Sequence, residues 1–571
     1  MRTKITDHPY LFLALLAVLF ILPAVLIGLP QTADSRFHII WSQEFSYEFW
    51  RGHFYPRWLS RMNSGCGDPA FFYYYPLPYY LSSLFSFTGN WGTEGWYPLV
   101  LAITVALILM GIACHRWLSS LMRNKTACLC GAALYMFSPS SITFIYMPVA
   151  YSHLTGLIFL PLLLLAAQKI VQGAHGAIAF FALMLAGLDT ASITYAVSAA
   201  WLPVLYCLFY GWREKKLAAT LPKLGLAVLL GTALAAIYLV PLWELRPYSQ
   251  GTGTSDLTSG PYYFANNFLF GWSSWTGVMK TTLVIQSMEH LYIVLMIFWL
   301  AYRIRHFYPA SFRNTILFWS VAGMGIFLME TPLSRLIWNH VPMLHVLQFP
   351  GRFGDNLFPI MLALFTAWYL AGKSGTRIFS SFIAIMMLLI LLCPWAITLS
   401  KHYVIPDDLK ANPLAQFRRV PFDQFFPTSV QPEWLGLAPA ETLDALCKRK
   451  IHLEKGAAEV TITEWHSRHI RFRVKAETES SITVSQFSFP GWAARDAAHP
   501  EITYPITLSP EGAGLMTVTV PPGEHLVRLE LETLPPEHYG AIISAAALCI
   551  LLGMLAYSRK RGERQEHDLT A

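Results

Sequence analysis

Long apolar runs alternate with short polar segments over most of this 571-residue chain. Runs long enough to cross a bilayer begin near Tyr10, Tyr97, Thr126, His153, Gly176, Ser192, Leu224, Leu283, Ile316, Asp355, Ile378 and Tyr539. The pattern predicts about twelve transmembrane helices, although the runs at Gly176 and Ser192 also fit one broken helix. Between Lys401 and about His538, apolar and polar residues alternate instead, and Pro and Gly separate the alternating stretches. This predicts a β-sandwich inserted before the last helix.

Charged residues are sparse and lie mostly in the short segments between these runs. The chain is 54% hydrophobic, 15% aromatic and 13% charged, about half the charge of an average soluble domain, which indicates a polytopic membrane protein. With the N-terminus in the cytoplasm, alternate loops such as HRWLSSLMRNK and WREKKLAATLPK and the tail SRKRGERQEH are basic, as the positive-inside rule requires. The first apolar run has no clear cleavage site and is interpreted as an uncleaved signal anchor.

This topology places both termini in the cytoplasm and the β-sandwich outside the cell inner (cytoplasmic) membrane. We predict a transmembrane domain over residues 1–400, an extracytoplasmic domain over 401–538, and a final helix with a basic tail over 539–571. The net charge of +7 is concentrated in the short basic loops, so it does not indicate a nucleic-acid partner. Membrane lipids are the expected surroundings of the helices.

The same topology brings charged residues from distant parts of the sequence to the outer face. They are Asp34, His38, Glu44, Asp189, Glu244, Arg246, Glu330 and Arg352. A carboxylate beside a membrane can act as a general base on a hydroxyl group. Asp34 suits that role, with Arg36 and His38 placed to hold it ionised or to contact an anion. The alternative is that Asp34 only caps the amphipathic helix that follows it.

Two further pairs are candidates for binding an anion. Arg352 and Asp355 open an apolar run in LHVLQFPGRFGDN, and a guanidinium at a helix N-terminus suits a phosphate group. The alternative is an interfacial arginine that extends to lipid headgroups. Glu244 and Arg246, in IYLVPLWELRPY, either face a sugar or diphosphate or simply pair with each other.

Several polar residues have a meaning that depends on their depth in the membrane. Asp189, in AGLDTASITY, is a functional candidate if it lies inside the membrane. It is a turn or cap residue if it reaches the outer surface. The same two interpretations hold for His153, Glu289 and His290.

The outer segments also contain an aromatic stretch and two cysteines. FFYYYPLPYYLSSLFSF, which includes Tyr74, predicts an interfacial or re-entrant helix, with an aromatic belt at the membrane surface as the alternative. Tyr74 and its neighbours would cover a site or stack on a sugar. Of the eight cysteines, only Cys66 and Cys447 fall in predicted extracytoplasmic parts, so a disulfide between them is possible.

Motifs for nucleotide and metal chemistry are absent from the sequence. It has no P-loop, no glycine-rich dinucleotide motif, no GxSxG and no HExxH. Asp34 and His38 are four residues apart and would share a helical face, but two ligands do not make a metal site. The sequence therefore disfavours nucleotide chemistry and indicates no certain cofactor. A divalent metal is possible, but no motif argues for one.

Four stretches carry a resemblance to a known family. They are ADSRFHIIWSQEFSYEFWRGHFYPRW with FFYYYPLPYYL after it, LPLLLLA, TPLSRLIWNHVPMLHVLQFPGRF, and FPGWAA through VPPGEHLVRLELE. In them the chain resembles the YfhO-like, 6-pyruvoyl-tetrahydropterin-synthase-related membrane proteins. These belong with the GT-C superfamily of glycosyltransferases, which use polyprenyl-phosphate-linked sugars. The stretches span most of the chain, and the first and third are the more specific.

The resemblance implies a GT-C-like fold with the catalytic acid in the first outer loop, where Asp34 stands. Asp34 would take the proton of an acceptor hydroxyl while the anomeric carbon passes through an oxocarbenium-like state. Arg352, with Arg246 or His38, would stabilise the lipid phosphate that leaves. The implied donor is a polyprenyl-phosphate-linked sugar, the acceptor is an envelope glycan, lipid or protein, and inversion at the anomeric carbon is expected.

The chain departs from the family pattern at a few positions. Relatives often have an Arg-Gly and a Glu around YMPVAYSH, where this chain has Pro148, Val149 and His153, and a His near the position of Asp189. If those residues matter, donor choice differs here or activity is lost.

Two rival functions are consistent with the same outer groove. A transporter or flippase for a lipid-linked glycan predicts charges deep inside several helices and an inverted repeat, and the sequence shows no such repeat. A non-catalytic envelope assembly protein predicts that Asp34→Asn has no effect, whereas deletion of the β domain does.

Overall fold

A computed structural model describes most of the chain. The described residues are 5–29, 33–86, 96–147, 149–250, 263–269, 289–300, 310–371, 427–431, 445–510 and 513–570, with the single positions 287, 302, 385, 392 and 396. This part is mostly helical, with a β-sheet region near the C-terminus and one long helix after it. The helices, the β-sheet region and the final helix follow one another along the chain in the order that the hydropathy pattern predicts. Pro148 and the predicted span near Ile378 lie outside the described residues.

The helices are numbered α1 to α19 in chain order. They are Pro9–Leu26, Ala33–Phe49, Ala70–Tyr73, Leu77–Ser83, Tyr97–Leu121, Lys125–Met136, Pro139–Tyr146, Tyr151–Gly156, Phe159–Gln172, Ala177–Ala191, Ile193–Ala199, Trp201–Arg213, Leu217–Leu234, Ala236–Leu245, Glu289–Leu300, Ala310–Met329, Arg335–His340, Arg352–Ala371 and Pro535–Thr570. Serine side chains begin two of them. Ser138 Oγ accepts the N–H of Ser141 at 3.2 Å before α7, and Ser192 Oγ accepts the N–H of Tyr195 at 3.2 Å before α11.

The described part of the chain contains eight helices that are long and apolar enough to cross a membrane. There are nine if α16 and α17, which are bent by 86° relative to each other, form one span. The described part of the chain therefore accounts for eight or nine of the about twelve predicted spans. Helices α10 and α15 are apolar but short, and α10 is separated from α11 by Ser192. Leu11, Leu15 and Leu19 on α1 are 62%, 55% and 57% exposed. Such an apolar surface indicates contact with lipid or with another protein.

The aromatic stretch after α2 is folded into the protein. It forms two short helices, α3 and α4, and the side chains of Phe71, Phe72 and Tyr79 are fully buried. An aromatic belt at the membrane surface is therefore the wrong interpretation for these rings. Tyr151 Oη donates a hydrogen bond to the carbonyl of Pro78 at 2.8 Å, which fastens α4 to α8.

The β region contains nine strands among the described residues. They are β1 Ile451–Lys455, β2 Ala458–His466, β3 His469–Ala476, β4 Ser480–Phe487, β5 Trp492–Asp496, β6 Thr503–Tyr504, β7 Ile506–Leu508, β8 Leu515–Val520 and β9 Gly523–Leu531. Two antiparallel sheets have the orders β1–β4–β8–β7 and β2–β3–β9–β5–β6. Inward side chains of both, such as Phe472 and Val518, share one core, as the alternating pattern predicts.

A disulfide and an indole hydrogen bond fasten the β region to the segment between α2 and α3. Cys66 and Cys447 are disulfide-bonded, which confirms the pairing that their predicted placement allowed. Trp58 Nε1 donates to Gln486 Oε1 at 3.1 Å. The β region therefore lies on the same side of the helical domain as the segment that follows Asp34.

Glu537, at the start of α19, forms a third connection. Its carboxylate lies 3.3 Å from Arg57 Nε and 3.2 Å from Arg468 Nη2. Arg57 and Glu537 are both buried, where removal of one partner of an ion pair costs several kcal/mol. The junction joins the segment between α2 and α3, the β region and the last helix.

Candidate active site

Asp34 lies in the first turn of α2, which begins at Ala33. This places Asp34 inside the helix and not at the predicted cap position, although a first-turn carboxylate is still favoured by the helix dipole. The side chain is partly buried. Burial raises the pKa of Asp34 to about 6, and the positive charge of Arg352 lowers it only in part. A carboxylate with a pKa near the working pH is well suited to act as a general base.

Arg352 is the first residue of α18. Its guanidinium is close enough to Asp34 and Asp355, and to the hydroxyls of Tyr74 and Tyr75, for their charges to interact. A cation at a helix N-terminus is unfavourable by itself, and the two carboxylates offset that cost. The structure therefore brings together Asp34 and Arg352, the two residues that sequence reasoning assigned to the base and the phosphate site.

His38 lies one turn further along α2, and its Nδ1 is 2.7 Å from the hydroxyl oxygen of Tyr79. Burial lowers the pKa of His38 to about 3, so the ring is neutral at physiological pH. It can orient Tyr79 but does not supply the positive charge that an anion requires. The ring of Tyr74 packs against that of Tyr75, with centroids 4.3 Å apart. Arg36 belongs to the same helix, and its side chain is outside the described part.

We call Asp34, His38, Tyr74, Tyr75, Tyr79 and Arg352 the Asp34 cluster. Its members come from α2, from the loop between α3 and α4, from α4, and from the start of α18. The cluster therefore forms only when three separate parts of the helical domain pack together.

A buried hydrogen-bond network supports the first turns of α18. His153 Nδ1 lies 3.2 Å from Asn356 Oδ1, and His153 Nε2 lies 3.1 Å from Thr194 Oγ1. The amide nitrogen of Asn356 donates to Ser198 Oγ at 2.6 Å, so its oxygen is the acceptor and His153 Nδ1 carries the proton. Sequence reasoning did not find this network. Two signals pointed to His153 alone: it is a polar residue within an apolar segment, and it departs from the pattern of the family that the chain resembles.

Glu330 holds the same end of α18 from the other side. The N–H of Gly354 donates to Glu330 Oε1 at 2.7 Å, and His290 Nε2 lies 2.6 Å from Glu330 Oε2. Gly354 permits this approach because a Cβ there would overlap Glu330 Oε1. Glu330 thereby satisfies one of the free N–H groups at the helix start and helps to fix Arg352 two residues earlier.

Gly354→Ala is expected to destabilise the protein by about 1–3 kcal/mol, because the new methyl group must displace the buried Glu330 carboxylate. Thermal unfolding of the purified protein in lipid nanodiscs measures the effect. Gly351→Ala is the matched control, since a Cβ at Gly351 meets nothing within 4 Å. Equal unfolding temperatures for the two variants would contradict the tight contact between Gly354 and Glu330.

Asp189 lies in the last turn of α10 and is buried. Its interpretation as a turn or cap residue is therefore wrong, because Ser192 makes the cap of the next helix. The charge of Asp189 interacts with Tyr238, whose ring centroid is 6.4 Å from that of Tyr75. Asp189 thus borders the Asp34 cluster through two tyrosines.

Glu244 and Arg246 are exposed near the end of α14. The guanidinium of Arg246 lies over the ring of Trp243, 3.6 Å from its centroid. Both side chains are exposed, whereas those of the Asp34 cluster are buried or partly buried. The structure therefore places these two predicted binding residues in a different environment from the other candidates.

No family model, curated protein or solved structure matches this chain. Within the described ranges, no group of three or more His, Cys, Asp and Glu side chains is arranged to hold a metal ion. A functional assignment therefore depends on what the Asp34 cluster can do. It offers a carboxylate base beside a cationic helix N-terminus, with tyrosine rings around both.

Proposed function

We propose that this protein is a membrane glycosyltransferase that moves a sugar from a polyprenyl-phosphate-linked donor to an acceptor on the outer face. The acceptor is an envelope glycan, a lipid or a protein. The observation that carries the proposal is the proximity of Asp34 to Arg352 at the start of α18. Transfer from a lipid phosphate needs both a base for the acceptor hydroxyl and a cation for the leaving phosphate.

In the proposed mechanism, Asp34 is the general base, Arg352 binds the leaving phosphate, and the tyrosine rings contact the sugar. Asp34, ionised above pH 6, takes the proton of the acceptor hydroxyl as that oxygen attacks the anomeric carbon. The bond to the lipid phosphate breaks through an oxocarbenium-like state, and the guanidinium of Arg352, the first residue of α18, stabilises the phosphate. Attack on the face opposite the leaving phosphate gives inversion. The rings of Tyr74 and Tyr75 line the sugar site.

Two features near the Asp34 cluster support its proposed role in sugar transfer. The exposed leucines of α1, which directly precedes α2, provide an apolar surface beside which a polyprenyl chain can lie. The β region is held to the segment after α2 by the disulfide of Cys66 and Cys447. We assign to it the role of covering the outer loop, which would limit the access of water to the donor.

Membranes that contain the protein test the proposal. They are incubated with polyprenyl-phosphate donors that bear different labelled sugars, and transfer to membrane or soluble acceptors is measured. Membranes that lack the protein are the control. We expect transfer from at least one donor only when the protein is present. An absence of transfer from every donor would contradict the proposal.

A second candidate function is transport of a lipid-linked glycan, and one observation favours it. The charges of Glu289, His290, Glu330 and Asp355 interact, and Glu289 and Glu330 are buried. Glu289 Oε2 accepts a hydrogen bond from Ser140 Oγ at 2.7 Å, whereas its Oε1 has no partner among the described residues. Acids inside a helical membrane domain are typical of proton pathways. Movement of labelled lipid-linked glycan across the same membranes without sugar transfer would favour this function.

A further inference from the structure

Three arginines lie side by side across the five-stranded sheet of the β region. Arg471 on β3 is opposite Arg528 on β9, and Arg495 on β5 is opposite Arg528 from the other side. We call these three residues the arginine row. Glu464 on β2 and Thr503 on β6 continue it at its two ends.

The arginine row is on the outer face of the sheet. Phe472, Leu529 and Ala494, each next in sequence to one of the three, are buried in the core between the sheets. Because successive side chains of a strand alternate between its faces, the arginines point away from that core. Their side chains are 35%, 40% and 33% exposed in strand order β3, β9, β5, so solutes can reach them.

Such an arrangement has an electrostatic cost. Side chains directly opposite each other have Cβ atoms about 5 Å apart, and like charges at that distance are destabilising. Each arginine has one acidic partner that offsets part of the cost. The pairs are Arg471–Glu464 at 3.2 Å, Arg528–Glu530 at 2.5 Å and Arg495–Glu532.

These pairs leave donors of the arginine row unused. Each of these ion pairs engages one terminal nitrogen, whereas a guanidinium has about five N–H donors. In the part of the chain that the structure describes, the Nε atoms of Arg471 and Arg528 are buried and have no partner, so the terminal nitrogens are the donors that an anion from solvent can reach. Glu530 is also shared with His469, whose Nδ1 lies 2.6 Å away. An anion placed on the row would therefore gain hydrogen bonds that the protein itself does not make.

A cavity adjoins the row between β5 and β9. It has a volume of about 210 Å³ and is lined by Arg495, Asp496, Pro500, Arg528 and Glu530. A water molecule takes about 30 Å³, so the cavity is large enough for a phosphate or carboxylate group and part of a sugar ring. Its two arginines suit the anionic group, and its carboxylates suit sugar hydroxyls as hydrogen-bond acceptors.

We propose that the arginine row and its cavity bind an anionic sugar, with the carboxylate or phosphate on the guanidinium groups of Arg495 and Arg528. This site is separate from the Asp34 cluster and does not depend on the catalytic role of Asp34. It gives the β region a ligand of its own: an acidic saccharide unit on the outer side of the helical domain.

Binding of small sugars to the full-length protein in phosphatidylcholine nanodiscs tests the proposal. Glucuronate, glucose 1-phosphate and glucose are titrated by ligand-observed NMR. We expect at least one anionic sugar to bind about tenfold or more tightly than glucose, a difference of about 1.4 kcal/mol. The anionic sugar that binds more tightly shows whether the site prefers a carboxylate or a phosphate group.

Two variants distinguish the site from general attraction to a basic surface. Arg528→Gln is expected to weaken binding by about tenfold or more. Arg473→Gln, which removes an exposed cation two residues from Arg471 on the same face but outside the cavity lining, should change it less than about twofold. Arg495→Gln serves as a second cavity variant if thermal unfolding shows that Arg528→Gln is misfolded. The proposal would be overturned if the cavity and control variants had equal effects on binding, or if glucose bound as tightly as the anionic sugars. It would also be overturned if neither anionic sugar bound at about 10 mM.

Discussion

Asp34→Asn is expected to abolish sugar transfer, with a loss of about 10²–10⁴-fold in rate, the usual contribution of a positioned general base. Asparagine has nearly the same shape as aspartate, but its amide cannot take up the proton of an acceptor hydroxyl. The change therefore removes the chemistry while it leaves the packing of α2 largely intact. The measurement is transfer of labelled sugar in membranes that carry wild type or variant at matched protein levels.

The control for Asp34→Asn is another carboxylate of the same outer segment. Asp68 is buried, and its Oδ1 accepts the N–H of Ala70 at 2.8 Å. The side-chain oxygen of asparagine can accept the same N–H, so Asp68→Asn should keep transfer. Equal transfer by wild type and Asp34→Asn would exclude Asp34 as the base and leave it only a favourable charge at the start of α2.

The pH dependence of wild-type transfer follows from the same group. The pKa of Asp34 is raised to about 6, and a general base acts only when it is ionised. Transfer should therefore be low in acid, half-maximal near pH 6, and maximal at neutral pH. A rate that does not change between about pH 5 and 7 would contradict the role of Asp34, since an unperturbed aspartate titrates near pH 3.9.

Arg352→Gln is expected to lower the rate of transfer by about 10²–10³-fold, because it removes a charged donor aimed at the leaving phosphate. Arg352→Lys should be intermediate, since lysine keeps the charge but not the paired N–H groups of the guanidinium. Arg246→Gln is the control. That residue is exposed beside Trp243, and its replacement should leave transfer unchanged.

Arg352→Gln should also move the pH profile of the remaining activity. The charge of Arg352 lowers the pKa of Asp34, so its loss raises that pKa above about 6 and shifts the half-maximal pH upwards. A purely structural role for Arg352 would lower the amount of folded protein without such a shift. An unchanged profile together with a normal rate would mean that Arg352 acts on neither the phosphate nor Asp34.

Local patterns of the sequence were sufficient for a large part of the fold. Apolar runs predicted most of the helices from α1 to α19, and alternation predicted the strands of the β region. The predicted topology allowed the pairing of Cys66 with Cys447, which the structure contains, because only these two cysteines lie in predicted outer segments. Asp34 and Arg352 were chosen for the same reason. Residues at the outer ends of different helices are confined to one thin layer, where they can meet.

Other features depended on contacts between distant segments. Composition could not show that Glu244 and Arg246 are exposed at the end of α14, because the exposure of a helix end is decided by what packs against it. In the sequence, His153 is one of several isolated polar residues. Its hydrogen-bond partners are apparent only in the tertiary structure, where α8, α11 and α18 pack together around Asn356.

The sequence by itself determined which segments are apolar, which alternate, and which side of the membrane each loop is expected to face, because these properties depend on a residue and its near neighbours. Only the tertiary structure decided that Glu330 caps α18 and that Arg471, Arg528 and Arg495 lie in one row. Both depend on the register between elements, and a shift of one residue along a strand would turn each arginine to the opposite face of the sheet.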